Sequence, residues 1–158
     1  MKKVAVIGLG YIGLPTAISI AEQGISVIGV DINQDRVNRI NAGDPDLYEP
    51  DMYEKLQLIL ARKLLRAQIM VEPADYFIIA VPTPLTADKK ADLSHVFNAA
   101  DAIAAVLQKG NIVILESTVC VGTTQQLAMH LAQKSRLVAG IVVVMDEAEI
   151  EIGLRPQR

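Results

Sequence analysis

The chain has 158 residues, of which 51% are hydrophobic and 21% are charged, and its formal net charge is −3. The hydrophobic fraction excludes intrinsic disorder, and the small negative charge argues against nucleic-acid binding through a basic surface. The length predicts one domain, no apolar run approaches the ~20 residues needed to cross a bilayer, and the single cysteine excludes an internal disulfide and favours the reducing cytoplasm.

Strand-like and helix-like segments alternate along the chain. Short apolar runs predict strands at 4–7, 26–30, 69–71, 76–81 and 111–116, with weaker signals at 141–145 and 149–154. Helices are predicted at 11–23, 33–41, 52–65, 93–108 and 122–133, with loops at 44–50 and 85–92. This alternation indicates an α/β, Rossmann-like fold, in which a doubly wound, mainly parallel sheet carries helices on both faces.

The first predicted strand leads into Gly8-Leu9-Gly10-Tyr11-Ile12-Gly13, which fits the pattern G-x-G-x-x-G. The pattern gains its specificity from its position between a buried strand and a helix. Gly8 permits a tight turn, Gly10 lets the backbone approach a pyrophosphate, and Gly13 lets the helix pack closely on the strand. The start of the helix offers free N–H groups and a partial positive charge to the phosphates.

Asp31 ends the second predicted strand, 18 residues after Gly13. A carboxylate at this place accepts hydrogen bonds from ribose hydroxyls and repels a 2′-phosphate, so the sequence predicts NAD rather than NADP. The nearby Arg36 tempers this preference, and two roles for it stay open: stacking over the adenine or lying on the helix surface.

Two hydroxyl-bearing segments follow later strands. Pro82-Thr83-Pro84 comes after the fourth predicted strand, and Glu116-Ser117-Thr118 ends the fifth. Ligands of such sheets bind at the carboxyl ends of the strands, where these hydroxyls could contact ribose, phosphate or the nicotinamide amide. Each threonine alone could equally be an ordinary turn or cap residue.

Together with Glu49-Pro50-Asp51 and Val121-Gly122-Thr123-Thr124, these segments resemble the nucleotide-sugar dehydrogenases of the UDP-glucose/GDP-mannose dehydrogenase family, from residue 4 to residue 134. The resemblance implies a four-electron oxidation, in which two NAD molecules each take a hydride from the C6 alcohol of one sugar. A cysteine of the family carries the thiohemiacetal and thioester, which divides one hard step into easier ones.

The resemblance also implies a set of cofactor-binding residues, namely Gly8, Gly10, Tyr11, Ile12, Gly13, Asp31, Arg36, Pro82, Thr83, Thr118 and Thr124. Thr118 would lie nearest the reacting carbon, with an auxiliary catalytic role in positioning water. Glu49 belongs to the family's Glu-Pro segment, although helix capping or loop anchoring explains it equally well.

The chain departs from the family near residue 158. The substrate-contacting Cys-Pro-Glu-Arg motif corresponds to Arg155-Pro156-Gln157-Arg158, so Arg158 is the one substrate residue predicted. The family's catalytic cysteine belongs to sequence after residue 158, and Cys120 has no base or cation nearby in the sequence to activate its thiol. We expect Cys120 to be a small buried or loop residue. We also expect residues 1–158 to be an NAD-binding domain without the central helix and substrate domain, inactive alone.

No metal site is predicted, because His95 and His130 lack a metal-ligand spacing and are expected at a surface or interface. The expected partner of the full enzyme is a nucleotide sugar, with no nucleic acid or membrane, and a homo-oligomer is left open. Two other functions are compatible with the glycine pattern: a regulatory NAD-sensing module and an NAD-dependent small hydroxyacid dehydrogenase. The Pro-Thr-Pro segment argues against both, and the Glu-Ser-Thr segment also argues against the sensing module.

Overall fold

The computed structural model describes residues 2–45, 50–135 and 142–145. Within these residues, six strands form one sheet: β1 (Lys3–Ile7), β2 (Ser26–Val30), β3 (Leu65–Gln68), β4 (Tyr76–Ile79), β5 (Ile112–Leu115) and β6 (Val142–Met145). Their order is β3-β2-β1-β4-β5-β6, and every neighbouring pair is parallel. Five helices connect them: α1 (Gly13–Glu22), α2 (Gln34–Asn41), α3 (Pro50–Ala61), α4 (Ser94–Ala104) and α5 (Thr123–Ser135).

Two apolar layers enclose the sheet, one on each face. Val4 and Val6 of β1 belong to the layer formed with α1, α2 and α3. Ala5 and Ile7 of the same strand belong to the layer formed with α4 and α5. Successive side chains of a strand point to opposite faces, so a strand buried on both sides needs the continuous apolar run that β1 has. The expected doubly wound fold with helices on both faces is confirmed.

The largest error of the sequence interpretation lies between α3 and β3. The predicted helix at 52–65 is wrong at its end, because α3 stops at Ala61 and Leu65 begins β3, which pairs with β2. The predicted strand at 69–71 is wrong as well, since these residues follow β3. The reversal occurs at Lys63, a non-glycine residue with a φ of 56°. No glycine or proline at this point of the sequence indicates the reversal, and the leucines on either side of it continue the helical spacing.

Other boundaries shift by smaller amounts. Pro50, predicted as loop, begins α3, a position that suits proline because its missing N–H would have no partner there. Helix α4 ends at Ala104 rather than at residue 108, because the N–H of Val106 turns to the carbonyl of Ile103 (2.9 Å). The predicted strand at 149–154 lies outside the described residues. No helix in the described part of the chain is long and apolar enough to span a membrane.

The strand order fixes where a ligand can bind. The chain winds from β1 outward through β2 to β3, and then returns to the other side of β1 with β4. Connections therefore leave the carboxyl ends of β1 and β4 in opposite directions, which opens a crevice between them. The glycine pattern, Asp31 and both hydroxyl-bearing segments all follow strands at this edge.

Candidate functional site

The turn after β1 is closely packed against its neighbours. Gly8 has a φ of +93°, and a Cβ there would lie 2.6 Å from the carbonyl oxygen of Ala80. A Cβ on Gly13 would lie 1.8 Å from the carbonyl oxygen of Gly8. The first turn of α1 therefore rests directly on the glycine turn, and no side chain fits at either glycine.

The start of α1 is open to an anion. Apart from Gly10 and its two chain neighbours, no described residue has an atom within 4 Å of the position that a Cβ of Gly10 would take. No side chain caps α1 at Ile12, and its first turn contains no acidic residue. The helix dipole and the uncapped end of the helix suit a negatively charged group there. Space, polarity and the glycine turn thus fit the pyrophosphate of a dinucleotide.

Asp31 is 7% exposed, and its carboxylate accepts hydrogen bonds from three donors. Its Oδ2 accepts from the backbone N–H of Leu9 (2.9 Å) and from Nη1 of Arg36 (3.2 Å), and its Oδ1 accepts from the N–H of Asn33 (2.9 Å). A carboxylate offers about four acceptor sites, so Oδ1 can take a further donor such as a ribose hydroxyl. Asp31 also ties the glycine turn to the end of β2.

Arg36 lies in α2, and its guanidinium Nη1 lies 3.2 Å from Oδ2 of Asp31, a contact that the sequence did not predict. Its backbone N–H donates to the side chain of Asn33, which caps α2 (3.1 Å). This pairing puts the guanidinium beside the carboxylate that is predicted to bind the ribose, and adenine stacking stays a prediction.

The two hydroxyl-bearing segments are joined to each other. Thr83 Oγ1 donates to the carbonyl of Thr118 (2.8 Å), and Ser117 Oγ donates to the carbonyl of Val81 (2.7 Å). The Pro82 and Thr118 side chains are exposed, whereas Ser117 is buried. The structure therefore brings together the segments that follow β4 and β5, as their predicted places at the carboxyl edge require.

One pair at this edge was missed by the sequence interpretation. Thr16 Oγ1, in the second turn of α1, donates to Oε1 of Glu116 (2.8 Å). Oε2 of Glu116 is buried and has no hydrogen-bond partner in the described structure. The two residues are 100 positions apart, so no local pattern could have paired them. The only available signal was a carboxylate at the carboxyl end of a buried strand.

Apolar side chains are exposed in the loops that follow β1 and β2. Ile32 is 90% exposed and Tyr11 is 81% exposed, and Ile12 is also exposed. Exposed apolar groups at one edge of a protein commonly mark a binding surface. Their position beside the glycine turn and Asp31 suits the flat faces of a dinucleotide.

The remaining predicted site residues are placed differently. Thr124 is 1% exposed in the first turn of α5, and its Oγ1 has no hydrogen-bond partner in the described structure. Glu49 and Arg158 lie outside the described residues. Cys120 is exposed in the loop before α5, so the loop alternative for this residue is correct and the buried one is wrong.

Both histidines are half-buried in helices, away from a metal-binding arrangement. Nε2 of His130 in α5 lies 2.6 Å from Oδ1 of Asp101 in α4, and this hydrogen bond lowers the pKa of Asp101. Lys134 contacts the same carboxylate at 3.4 Å. Across the described ranges, no group of three or more His, Cys, Asp or Glu side chains could hold a metal ion.

Comparison with known proteins gives one consistent result. Residues 2–158 match the family model described as the NAD-binding domain of the UDP-glucose/GDP-mannose dehydrogenase family. UDP-N-acetyl-D-mannosamine dehydrogenase of Campylobacter jejuni is 51% identical over 134 residues, which is 84% of this chain and 33% of that protein. NDP-N-acetyl-D-galactosaminuronic acid dehydrogenase of Ralstonia solanacearum is 42% identical over 157 residues.

The Ralstonia match covers 99% of this chain and 37% of that relative, so the chain spans a little over a third of its length. Among solved structures, UDP-N-acetyl-mannosamine dehydrogenase of Staphylococcus aureus superposes with a TM-score of 0.86 at 35% identity. That superposition covers 96% of this chain and 38% of the Staphylococcus chain. The matched part of each relative is therefore similar in size to the sheet and helices described above.

Proposed function

The chain belongs to the UDP-glucose/GDP-mannose dehydrogenase family and matches its NAD-binding domain, and on this premise we propose that residues 1–158 bind NAD for the oxidation of a nucleotide sugar. The observation that carries the proposal is the joint placement of the glycine turn, the uncapped start of α1 and Asp31 at the crevice between β1 and β4. The three features meet the separate needs of pyrophosphate and ribose.

Different residues contact different parts of the cofactor along the crevice. The turn containing Gly8, Gly10 and Gly13 holds the pyrophosphate at the start of α1. Asp31 accepts a hydrogen bond from the adenosine ribose through its remaining acceptor site on Oδ1, while Arg36 contacts its Oδ2. Tyr11, Ile12 and the neighbouring Ile32 cover the bound dinucleotide with exposed apolar side chains.

The nicotinamide half lies toward β4 and β5, on the other side of the crevice from Asp31. Pro82, Thr83 and Thr118 line that side, and the bond from Thr83 to the Thr118 carbonyl fixes the two loops relative to each other. Bound NAD supplies the acceptor for the hydride. The exposed Thr118 hydroxyl is proposed to orient water near the reacting carbon, and Thr124 in the first turn of α5 is proposed as a further cofactor residue.

The sugar nucleotide is proposed from the relatives. Those named for UDP-N-acetyl-D-mannosamine support oxidation of this compound to UDP-N-acetylmannosaminuronate, with two hydrides passed to NAD. The Ralstonia relative carries the name of another N-acetylated sugar, so the shared class is a nucleotide-linked N-acetylamino sugar. Arg158 is the residue of this chain proposed to reach that substrate.

We further propose that these 158 residues bind NAD without turnover. The family chemistry uses a catalytic cysteine and substrate-binding residues that the resemblance assigns to sequence after residue 158. The one cysteine present, Cys120, is exposed in the loop before α5. The domain that this chain resembles would then be the cofactor-binding half of a cytoplasmic enzyme.

Calorimetric titration with NAD and NADP tests the proposed cofactor. Because Asp31 would repel a 2′-phosphate, NAD is expected to bind at least ~10-fold more tightly than NADP, which corresponds to roughly 1.4 kcal/mol. Equal affinity for the two, or tighter binding of NADP, would show that Asp31 does not face the adenosine ribose.

A further inference from the structure

Glu116 is a charged residue at the edge of a buried strand that the proposed cofactor contacts do not use. Its backbone N–H continues the sheet by donating to the carbonyl of Ile79 in β4 (2.9 Å). Its side chain runs toward α1, where Oε1 accepts the Thr16 hydroxyl (2.8 Å). The second carboxylate oxygen, Oε2, is buried and has no partner in the described part of the chain.

The sheet order places this carboxylate beneath the crevice. β4 lies between β1 and β5, and α1 packs beside β1 and β2. A side chain that starts at the end of β5 and reaches α1 must therefore pass across the carboxyl end of β4. This is the point where the strand order reverses, and ligands of such sheets lie there.

The unpaired oxygen requires a donor. A buried acceptor without a hydrogen bond is costly, and native proteins rarely leave one unless a ligand, ion or water completes it. Thr16 already uses its hydroxyl proton on Oε1. No described residue supplies a donor for Oε2, and a ligand bound in the crevice at the end of β4 can supply one.

The half of the dinucleotide at this place follows from the proposed function, on which this step rests. Asp31, at the end of β2, lies on the adenosine side of the crevice. A dinucleotide extended across β1 then carries its nicotinamide over β4 and β5. The nicotinamide carboxamide has two N–H donors, and its ring is positively charged in NAD⁺ and neutral in NADH.

We propose that Glu116 makes this domain prefer NAD⁺ over NADH: its free Oε2 accepts a hydrogen bond from the nicotinamide carboxamide, and its negative charge stabilises the cationic ring. The hydrogen bond serves both cofactor forms, whereas the charge serves the oxidised form alone. A charged group near a cofactor ring is one of the means by which a protein tunes it. Thr16 fixes the carboxylate in this position from α1.

The preference has a use in the proposed reaction. An enzyme that passes two hydrides from one sugar to NAD must exchange NADH for NAD⁺ before the second transfer. A site that binds NADH less tightly than NAD⁺ promotes this exchange without a conformational change. Glu116 would thus act as a specificity-determining residue of the cofactor site.

The variant Glu116→Gln separates the charge from the shape. Glutamine keeps an oxygen that can accept from Thr16. It replaces Oε2 with an NH2 group, so the variant removes the negative charge and the second acceptor together. Dissociation constants for NAD⁺, NADH and ADP-ribose are measured for the 158-residue chain by calorimetry. Glu22→Gln is the matched control, because it removes the same charge at the opposite end of α1, where Glu22 pairs with Lys55 at 3.8 Å. Thermal melting followed by circular dichroism checks that both variants fold.

For Glu116→Gln, NAD⁺ is expected to bind about 5- to 10-fold more weakly, a change typical of losing one nearby opposite charge in a partly shielded site. The NADH constant is expected to weaken by a clearly smaller factor, because NADH loses the hydrogen bond but no attraction between charges. ADP-ribose, which lacks the nicotinamide, is expected to bind as before. Glu22→Gln is expected to leave all three constants unchanged.

An equal change for NAD⁺ and NADH, or no change in either, would overturn the inference while leaving the proposed cofactor site intact. A loss of ADP-ribose binding in a folded Glu116→Gln chain would also overturn it, because the residue would then act on the whole site. If the unaltered chain bound neither NAD⁺ nor ADP-ribose, both the proposed function and this inference would fail.

Discussion

At the scale of single residues, Asp31 serves the fold and the proposed site together. The carboxylate accepts the N–H of Leu9 from the glycine turn and the N–H of Asn33 from its own loop, at 2.9 Å each. The turn that would hold the pyrophosphate is therefore fixed by the residue that would bind the ribose. A change at this position is expected to affect both stability and cofactor affinity.

Replacing Asp31 with alanine is expected to lower NAD affinity at least ~10-fold, because the ribose acceptor is lost and the glycine turn loses its brace. It should also reduce the free energy of unfolding by about 1–3 kcal/mol, since the buried N–H of Leu9 loses its partner. Calorimetry and urea unfolding measure the two effects. Asp35→Ala in the first turn of α2 is the control, and unchanged NAD binding by the Asp31 variant would contradict the assignment.

Gly8 and Gly24 allow backbone strain to be separated from close packing. Both have a positive φ, +93° and +80°, but only Gly8 has a neighbour at the place of a Cβ. Gly24→Ala is expected to cost ~1–2 kcal/mol of unfolding free energy from the backbone conformation alone. Gly8→Ala should cost clearly more, because its Cβ would meet the Ala80 carbonyl. Equal losses in urea unfolding would show that the turn can relax.

The sequence predicted single residues well where a role depends on spacing along the chain. Asp31 was found by its distance from Gly13, and the structure places it beside the glycine turn. The partners of Glu116 and Arg36 were not found. The first depends on a contact across 100 positions, and the second on a side-chain rotamer that spacing does not encode.

At the scale of elements, periodicity identified five helices but failed where one element passes directly into the next. Leu64 and Leu65 continue the apolar spacing of α3, yet the chain reverses at Lys63 and Leu65 enters β3. The competing stabilisation comes from the sheet, where Leu65 pairs with Val27 and is buried in the core. Such tertiary contacts override the local pattern, and only a glycine or proline at the reversal would have announced it.

Helices α4 and α5 are joined at their surface by a contact that depends on pH. The hydrogen bond from His130 holds the pKa of Asp101 below its usual 3.8, so the folded state favours the ionised carboxylate. The stabilisation is therefore fully present above pH 3.8 and is lost as the pH falls through the lowered folded-state pKa. Asp101 is partly exposed, so solvent screening keeps the contribution small.

Asp101→Asn is expected to reduce the unfolding free energy by up to ~1 kcal/mol at neutral pH, and the difference from the unaltered chain should disappear below the lowered pKa. Urea unfolding over a series of pH values measures this. A difference that persisted or grew in acid would show that the carboxylate charge is not what stabilises the contact. Asp88→Asn, in the exposed loop before α4, provides a control for the loss of one acidic charge.

At the scale of the whole molecule, the order β3-β2-β1-β4-β5-β6 gathers residues that are far apart in the sequence along one edge of the sheet. The alternation of strands and helices predicted this arrangement, because parallel strands joined by helices have their carboxyl ends at the same edge. The sequence therefore predicted which residues lie at this edge of the sheet. The hydrogen bonds that join its loops, such as Thr83 to Thr118 and Thr16 to Glu116, could not be predicted, because they form only when the strands and helices are assembled.

In the proposed function, NAD lies across the crevice between β1 and β4, and an NMR titration of the ¹⁵N-labelled chain with NAD tests this placement most directly. The largest amide shifts are expected at Gly10, Tyr11, Ile32, Thr83 and Thr118, with little change at Asp101 and His130 between α4 and α5. Shifts confined to the far edge of the sheet or to the α4–α5 surface, or no shifts at saturating NAD, would contradict the account.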